Sequence, residues 1–550
     1  MPISTHKKQY LFKLLGESLD DEKLEKYLNE LGMSVERFDD ETVDVEYQAN
    51  RPDLVSTVGL ARALKYFTDK KRGFQYATAP AKEGYEIHVG NAVEIRPYIA
   101  GMLVESLHFD SDSFLDLINS MEKLTETFGR HRKKIAVGLH DAAQVKPPLY
   151  YDTYKDEKFL ALGAEKEMNY SSILKTTEKG KAYGDLCKSN TGYLALEDTE
   201  GTMALIPVIN SERTKITEQT SSVFVDVTGT TKYIVEKTAD LIAANFIDMG
   251  SKVYRVRIIR KNAKRYETPQ MKTEPIKIPL QSIRDTLGVW IEFNNAITLA
   301  NKMGYRAALV GRNIRFEVPA YRLDVINDQD VTEDIAIAYG YDYIQPLHVF
   351  SSQQGALSKE EILNDTLREI MTGLGFYDTV SSYMTNEETN FTKMNLETKG
   401  QYQYIKIKNA KASTITMMRT WVLPSLMESL GKSQHDKFPQ KIFEIDKAFE
   451  VEKGMPKESY HIAAAISGPK VDLNEIKNTL ATLAKTLNSS LKIKTTAHGS
   501  FIEGRCGAVE IEGKAKGVFG ELHPQVLSNF GIEEPVVAFD IQLADDYAEK

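Results

Sequence analysis

The chain has 550 residues, 42% apolar and 27% charged, with a formal net charge of −9. That length suggests about three to five domains, each able to bury its own core. The negative balance argues against a chain that coats nucleic acid by bulk electrostatics. The two cysteines, Cys187 and Cys506, offer neither a disulfide framework nor a zinc spacing, so a reducing cytosol is expected. The opening residues lack the apolar run of a leader peptide, and no stretch of about 18 apolar residues spans a membrane.

In chain order, residues 1–80 begin with an amphipathic helix. Leu24, Tyr27, Leu28 and Leu31 recur at helical spacing and Gly32 closes it. A strand over Thr42–Tyr47, a turn at Asn50-Arg51-Pro52-Asp53-Leu54 and a second helix to about Phe67 follow.

Residues 85–265 read as mixed α/β. Strands are expected at Val89, Ile95, Ile99–Val104, Ile135–Leu139, Val223–Val227 and Val253–Ile259. Helices are expected over Phe114–Phe128 and Ile234–Asn245. Two basic clusters stand out: Arg130, Arg132, Lys133 and Lys134, and Arg255, Arg257, Arg260, Lys261, Lys264 and Arg265. Each alone reads best as solvated surface charge.

Residues 276–346 predict two helices, Asn294–Met303 and Val331–Tyr339, with a hairpin. Residues 350–550 predict helices over Lys359–Leu374, Leu423–Lys432 and Leu473–Leu487. The strands expected there are Tyr404–Lys408, Lys441–Ile445, His461–Ile466 and several in the tail.

General catalytic motifs are absent. There is no phosphate-binding glycine loop, no metalloprotease helix and no nucleophile elbow. Generic motifs alone stop at a multidomain α/β protein.

Four separated stretches carry more. The first runs from Glu46 through Asn50-Arg51-Pro52-Asp53 to Leu64. The second comprises Gly129–Asp141, Pro207–Thr214 and Val223–Thr230. The third runs from Phe316 to Asp342. The fourth includes Met418–Met427, Phe438–Ile445, Ile502–Arg505 and Phe519–Pro524. In this order they resemble the beta subunit of phenylalanyl-tRNA synthetases of the archaeal and eukaryotic type.

The resemblance implies a multidomain α/β and α+β fold. Residues 1–80 would be a B1-like domain and 85–265 a B3/B4-like editing module. Residues 276–346 would be a winged-helix-like B5 module, and 350–550 a degenerate class II synthetase antiparallel-sheet domain. It implies a partner alpha subunit in an (αβ)2 heterotetramer, tRNA(Phe), and ATP and Mg2+ for the assembled enzyme. It also implies a cytoplasmic location and no membrane association.

It implies hydrolysis of tRNA mischarged with tyrosine as well. A pocket shaped for phenylalanine cannot strongly exclude an isostere that adds a hydroxyl, so a second sieve is useful. Asn210, Ser211, Glu212, Asp226 and Thr228 are the polar residues placed by motif to line that sieve, although each could equally be a cap or turn former. His140 and Asp141 could form an acid–base pair, but a hydrogen-bonded histidine at a strand end is the simpler reading.

Adenylate formation needs cationic clamps on the nucleotide. Class II motif 2 places an arginine two residues before a glutamate, whereas Glu444 is preceded there by Ile442. No arginine follows His523. The C-terminal domain should therefore pair with an active subunit rather than activate an amino acid.

Four acidic residues complete the site candidates. Asp324 should end a strand, and Asp330, Glu333 and Asp334 should share one side of the helix that follows. Like charges so gathered repel unless a cation sits among them. A hard divalent ion suits oxygen ligands, and the resemblance implies that all four bind magnesium. The competing reading is a helix N-terminus, since Asp330-x-x-Glu333 has capping-box spacing. Two further readings stay open: a solitary RNA-binding or regulatory protein, and a stand-alone trans-editing hydrolase. The long synthetase-like domain counts against both.

Overall fold

A computed structural model describes all residues except 1, 72, 92, 262–263, 398–402, 512–514 and 545–550. The chain forms two compact units, Met1–His348 and Val349–Lys550.

In the first unit, the opening residues pair as strands Ile3–Lys7, Thr42–Glu46 and Ser34–Phe38, with Thr42–Glu46 central. Asp20 starts the helix Asp21–Glu30 by accepting from Lys23 N at 2.8 Å, which satisfies an orphan first-turn donor. Leu24 and Leu28 turn inward from it, and Gly32 leaves it with a φ of 82°. Ser56 caps the helix Thr57–Phe67 in the same way through Gly59 N. Gly59 is required there, because a Cβ would lie 1.8 Å from the Asp53 carbonyl oxygen.

Residues 274–346 build a sheet in the order Glu274–Pro279, Asn313–Val318, Arg306–Val310, with helices Leu280–Leu287, Phe293–Lys302 and Asp328–Tyr339. The sequence reading named two of these three helices. Leu280 and Ile283 are buried together with Leu24, Val43, Leu60 and Phe316 in one continuous apolar core. The two small segments, far apart in the chain, therefore share a core.

Between them lies an eleven-stranded sheet among the described residues. At one end Ile135–Asp141, Ser222–Gly229, Tyr98–Glu105 and Lys252–Arg260 are neighbours. Helices Ser111–Glu126 and Lys232–Asp248 contribute to the core on one face, where Val225, Val227 and Phe246 are buried. At the other end Leu149–Tyr154, Gly192–Asp198 and Gly201–Leu205 extend the sheet. Ile95, expected in a strand, lies outside one.

In the second unit a seven-stranded sheet runs Tyr377–Asp378, Gln440–Glu452, Met455–Ser467, Val536–Leu543, Ala515–Leu522, Phe501–Ile511 and Leu491–Thr495. All neighbours are antiparallel except the first pair. Alternation sends Ile462, Phe539 and Ile541 to one face, against helices Lys359–Gly373 and Leu473–Thr486. It sends Ala463, Ala465 and Ala538 to the other, against helix Leu423–Lys432. Tyr404–Lys408 is not a strand; only a single bridge, Lys406 to Met417, forms there. Among the described residues no helix is long and apolar enough to cross a membrane.

Candidate functional site

A cavity of about 120 Å3 opens in the central sheet region of the first unit. Asn210, Asp226, Gly138, Arg132 and the chain Leu205–Asn210 line it. Asp226 sits mid-strand in Ser222–Gly229, directly opposite Gly138 in register. A Cβ at Gly138 would meet Asp226 Oδ2 at 2.0 Å, so glycine is what admits this carboxylate.

His140, not Asp141, completes the charged group. Its Nε2 lies 3.1 Å from Asp226 Oδ2 and its Nδ1 2.8 Å from Thr214 Oγ1. A carboxylate only accepts, so Nε2 carries the proton and Nδ1 accepts from Thr214 in the neutral ring. Asp141 is the next residue on the same strand and therefore faces the other way; it accepts from Ala143 N instead. The other carboxylate oxygen of Asp226, Oδ1, is buried and has no hydrogen-bond partner among the described residues.

Of the five pocket candidates, Asn210 and Asp226 line the cavity. Asn210 Nδ2 is engaged by the Leu139 carbonyl at 3.2 Å. Thr228 is fully buried beside them, where Arg96 Nε donates to its hydroxyl at 2.9 Å and Arg96 Nη2 to its carbonyl at 2.8 Å. Burial draws the Arg96 guanidinium down to about 10. Ser211 does not line the cavity: its hydroxyl caps the short turn Glu212–Thr214, accepting from Arg213 N. Glu212 is also outside it, holding Gly163 N and Lys215. Thr228 is likewise not among the lining residues, and the turn that follows Asn210 carries Ser211 and Glu212 off the wall.

The sequence reading missed Gly138, Arg132 and Thr214. Arg132 donates from Nη1 to the carbonyls of Pro207 and Val208, and so braces the cavity's rim. Arg130, His131 and Arg132 all have left-handed φ values, 50°, 52° and 62°. Non-glycine residues reach that region only when their surroundings hold them there. Here Arg96 Nη1 donates to the Arg132 carbonyl at 2.9 Å. In the second basic cluster, Arg255 pairs with Glu267 and Arg257 with Glu86 and Glu267.

The acidic quartet is organised by an arginine. Asp324 lies in the loop after the strand Asn313–Val318, not at its end. Arg322 grips it with two bonds, 2.9 and 2.7 Å, and reaches Asp334 at 2.7 Å. Tyr305 donates to Asp334 at 2.5 Å. Burial pushes the Asp334 carboxyl above its ordinary range despite that cation. Asp330 accepts from Ile326 N and Asn327 N, and Asn327 accepts from Gln329 N and Asp330 N. The capping box is therefore Asn327 with Asp330, not Asp330 with Glu333. Glu333 is exposed at the edge of a small cavity of about 40 Å3 that all four carboxylates border.

The cation that like charges demand is thus already present as Arg322. No group of three or more acidic, histidine or cysteine side chains among the described residues is placed to hold a metal. As they stand, the four carboxylates do not fit a divalent ion.

The Asn50–Asp53 turn belongs to the same neighbourhood. Arg51 and Asp53 form a buried two-bond pair at 2.9 and 2.8 Å, and Arg51 borders the cavity of the acidic quartet. Burial opposes ionisation of Asp53, but Arg51, with Arg322 and Arg62 nearby, outweighs it and holds the carboxyl at about 2.

In the second unit Glu444 does have an arginine, supplied from a distance. Arg419 Nη1 lies 2.6 Å from Glu444 Oε1, and both are buried. Ser381 joins them at 2.8 and 2.6 Å. Arg419 is buried against Glu444, so its guanidinium is not presented to solvent.

A multidomain scaffold of this kind, with a B5-type domain and a synthetase-type sheet, defines a class of aminoacyl-tRNA synthetase chains. Family models match residues 1–70 as the Phe-tRNA synthetase beta subunit B1 domain and 276–341 as the tRNA synthetase B5 domain. Residues 346–543 match the phenylalanyl tRNA synthetase beta chain CLM domain. The phenylalanine–tRNA ligase beta subunit of Thermococcus onnurineus is 33% identical over the whole of both chains. That of Methanocaldococcus jannaschii is 33% identical over 99% of this chain and all of its own. The crystal structure of an N-terminal fragment of the Pyrococcus horikoshii phenylalanyl-tRNA synthetase beta subunit superposes with a TM-score of 0.59 at 31% identity. It covers 62% of this chain and 99% of that fragment. The chain belongs to the family of phenylalanine–tRNA ligase beta subunits.

Proposed function

We propose that this chain acts with a phenylalanine–tRNA ligase alpha subunit and tRNA(Phe) in the cytoplasm, as an (αβ)2 heterotetramer. It removes tyrosine from mischarged tRNA and leaves amino-acid activation to its partner. The observation that carries the editing half is Asp226. Its Oδ1 is buried, unpartnered and beside a cavity of about 120 Å3. A cavity of about 150 Å3 takes up a benzene ring, so the volume suits a phenol side chain. A phenol hydroxyl would satisfy Oδ1, whereas phenylalanine would leave it bare, at a cost of about 1–3 kcal/mol. His140 and Thr214 hold Asp226 in place for that contact.

The synthetic half rests on the second unit. Glu444 and Arg419 are locked together, which leaves no motif-2 arginine for ATP. ATP is thus a substrate of the partner's site. Exposed Ile362, Tyr377, Val380 and Met384 supply apolar surface for that partner, with Val380 89% exposed. Mg2+ at Asp324, Asp330, Glu333 and Asp334 becomes possible in this reading only after Arg322 swings away from Asp324 and Asp334.

The test is deacylation of tyrosyl-tRNA(Phe) and phenylalanyl-tRNA(Phe) by the assembled complex. Wild type should hydrolyse the tyrosyl form preferentially, and Asp226→Ala should lose about ten-fold or more of that preference while aminoacylation persists. An unchanged preference in Asp226→Ala would reject this pocket.

A further inference from the structure

Among the described residues, helices Leu423–Lys432 and Pro524–Phe530 cover one end of the second face of the C-terminal sheet. The rest is the floor of a cavity of about 790 Å3, within the range of small-molecule sites. Strand register arranges that floor. One cross-sheet row runs Lys492, Glu510, Lys516, Gln542, His461, and the next runs Lys494, Ala508, Val518, Asp540. At about 4.8 Å per strand, the row from His461 to Lys492 spans roughly 19 Å.

The two ends differ in chemistry. At one end Trp421 forms an aromatic wall beside His461 and Asp540. Asp540 is fully used there. Its Oδ2 accepts from Val422 N and Leu423 N at 2.7 and 2.8 Å, and its Oδ1 lies 2.6 Å from His461 Nδ1. Lys492 and Lys494 stand at the other end and Lys516 midway along the row, none with an ion-pair partner among the described residues. Lys457 lies on the His461 strand instead and is paired with Glu452. Glu510 lies between Lys492 and Lys516 in register and offsets one charge. Among the described residues that side therefore keeps a net positive charge, on a chain whose overall charge is negative.

An elongated cavity with an aromatic end and a cationic end matches a ligand with a flat ring system joined to a chain of phosphates. We infer that this face binds a nucleoside polyphosphate, with its phosphates on Lys492, Lys494 and Lys516 and its base against Trp421. Lysine ammoniums hold phosphate as point charges, without the fixed fork by which arginine orients it. Arg419 is locked to Glu444 and cannot supply that fork. The site holds its ligand and performs no transfer. This inference does not rest on the editing pocket, which lies in the other unit.

The chain has two tryptophans, so Trp290→Phe leaves Trp421 as its single indole reporter. The full chain without an alpha subunit is titrated with ATP and, separately, with inorganic tripolyphosphate. ATP should change Trp421 fluorescence saturably. Tripolyphosphate should compete for the site but bind at least ten-fold more weakly. Lys492→Ala with Lys516→Ala, two substitutions on exposed parts of the floor, should raise the ATP Kd at least ten-fold. No saturable ATP signal, an unchanged Kd in the double variant, or tripolyphosphate binding as tightly as ATP would each overturn the inference.

Discussion

Replacing Arg322 by alanine isolates the claim that a guanidinium, not a metal ion, organises the acidic quartet. Arg322 is 2% exposed and serves two carboxylates whose side chains are 8% and 5% exposed. Truncation strips both of their cation at once, while Tyr305 still donates to Asp334. Removing one partner of a buried pair costs about 3–5 kcal/mol, because the charge left behind is uncompensated. The loss should fall on the first unit, whose shared core lies around this network. Urea denaturation followed by circular dichroism reads it as a lower midpoint with an unchanged slope. A second arm adds saturating Mn2+ or Mg2+. In wild type the midpoint should not move, because Arg322 occupies the carboxylates. In Arg322→Ala the freed oxygens should take the ion and regain up to about 2.7 kcal/mol at a hundred-fold excess over Kd. A wild-type midpoint that rises with Mn2+ as much as the variant's would refute the reasoning, since the ion would then coexist with the arginine. So would a loss below about 1 kcal/mol in the absence of metal.

Gly138→Ala should abolish discrimination between tyrosyl and phenylalanyl esters, because its Cβ would fall 2.0 Å from Asp226 Oδ2. Deacylation kinetics with both esters measure this, and retained discrimination would mean that Asp226 is not the recognising group. Asp240 offers a pH test. Burial raises its carboxyl to about 6 although Gln270 N and Met271 N donate to it. A raised carboxyl favours the fold below about pH 4 and withdraws that support as pH rises through about 6. Asp240→Asn keeps the acceptor and removes the charge, so it should stabilise the first unit by about 3 kcal/mol at pH 7.5 and by nothing near pH 4. Equal effects at both pH values would contradict this assignment.

Most of the long elements could be read from the chain because periodicity and caps agree. Helix Asp21–Glu30 has Asp20 before it and Gly32 after it, and Thr57–Phe67 has Ser56. Helix Leu280–Leu287 escaped notice because its start carries no polar cap, only Pro279. The strands Gly192–Asp198 and Gly201–Leu205 carry consecutive buried residues, Leu194–Leu196 and Thr202–Leu205, so no alternation marks them. Asp226, named from its motif, lines a cavity, but its partner was not legible. His140 lies 86 residues away in sequence and meets it only because two strands align in register. Likewise the spacing of Asp330, Glu333 and Asp334 correctly flagged a charge problem. The solution, Arg322, stood two residues before Asp324 in the same stretch, and its burial beside Asp334 is a product of the tertiary fold.

Division of labour between two chains is read from the rate of phenylalanyl-tRNA(Phe) formation with this chain alone, the cognate alpha subunit alone, and the two combined. Ester should form at a substantial rate only in the combined sample, with none from this chain alone. Amino-acid activation and ester formation by the purified chain without its partner would contradict the account.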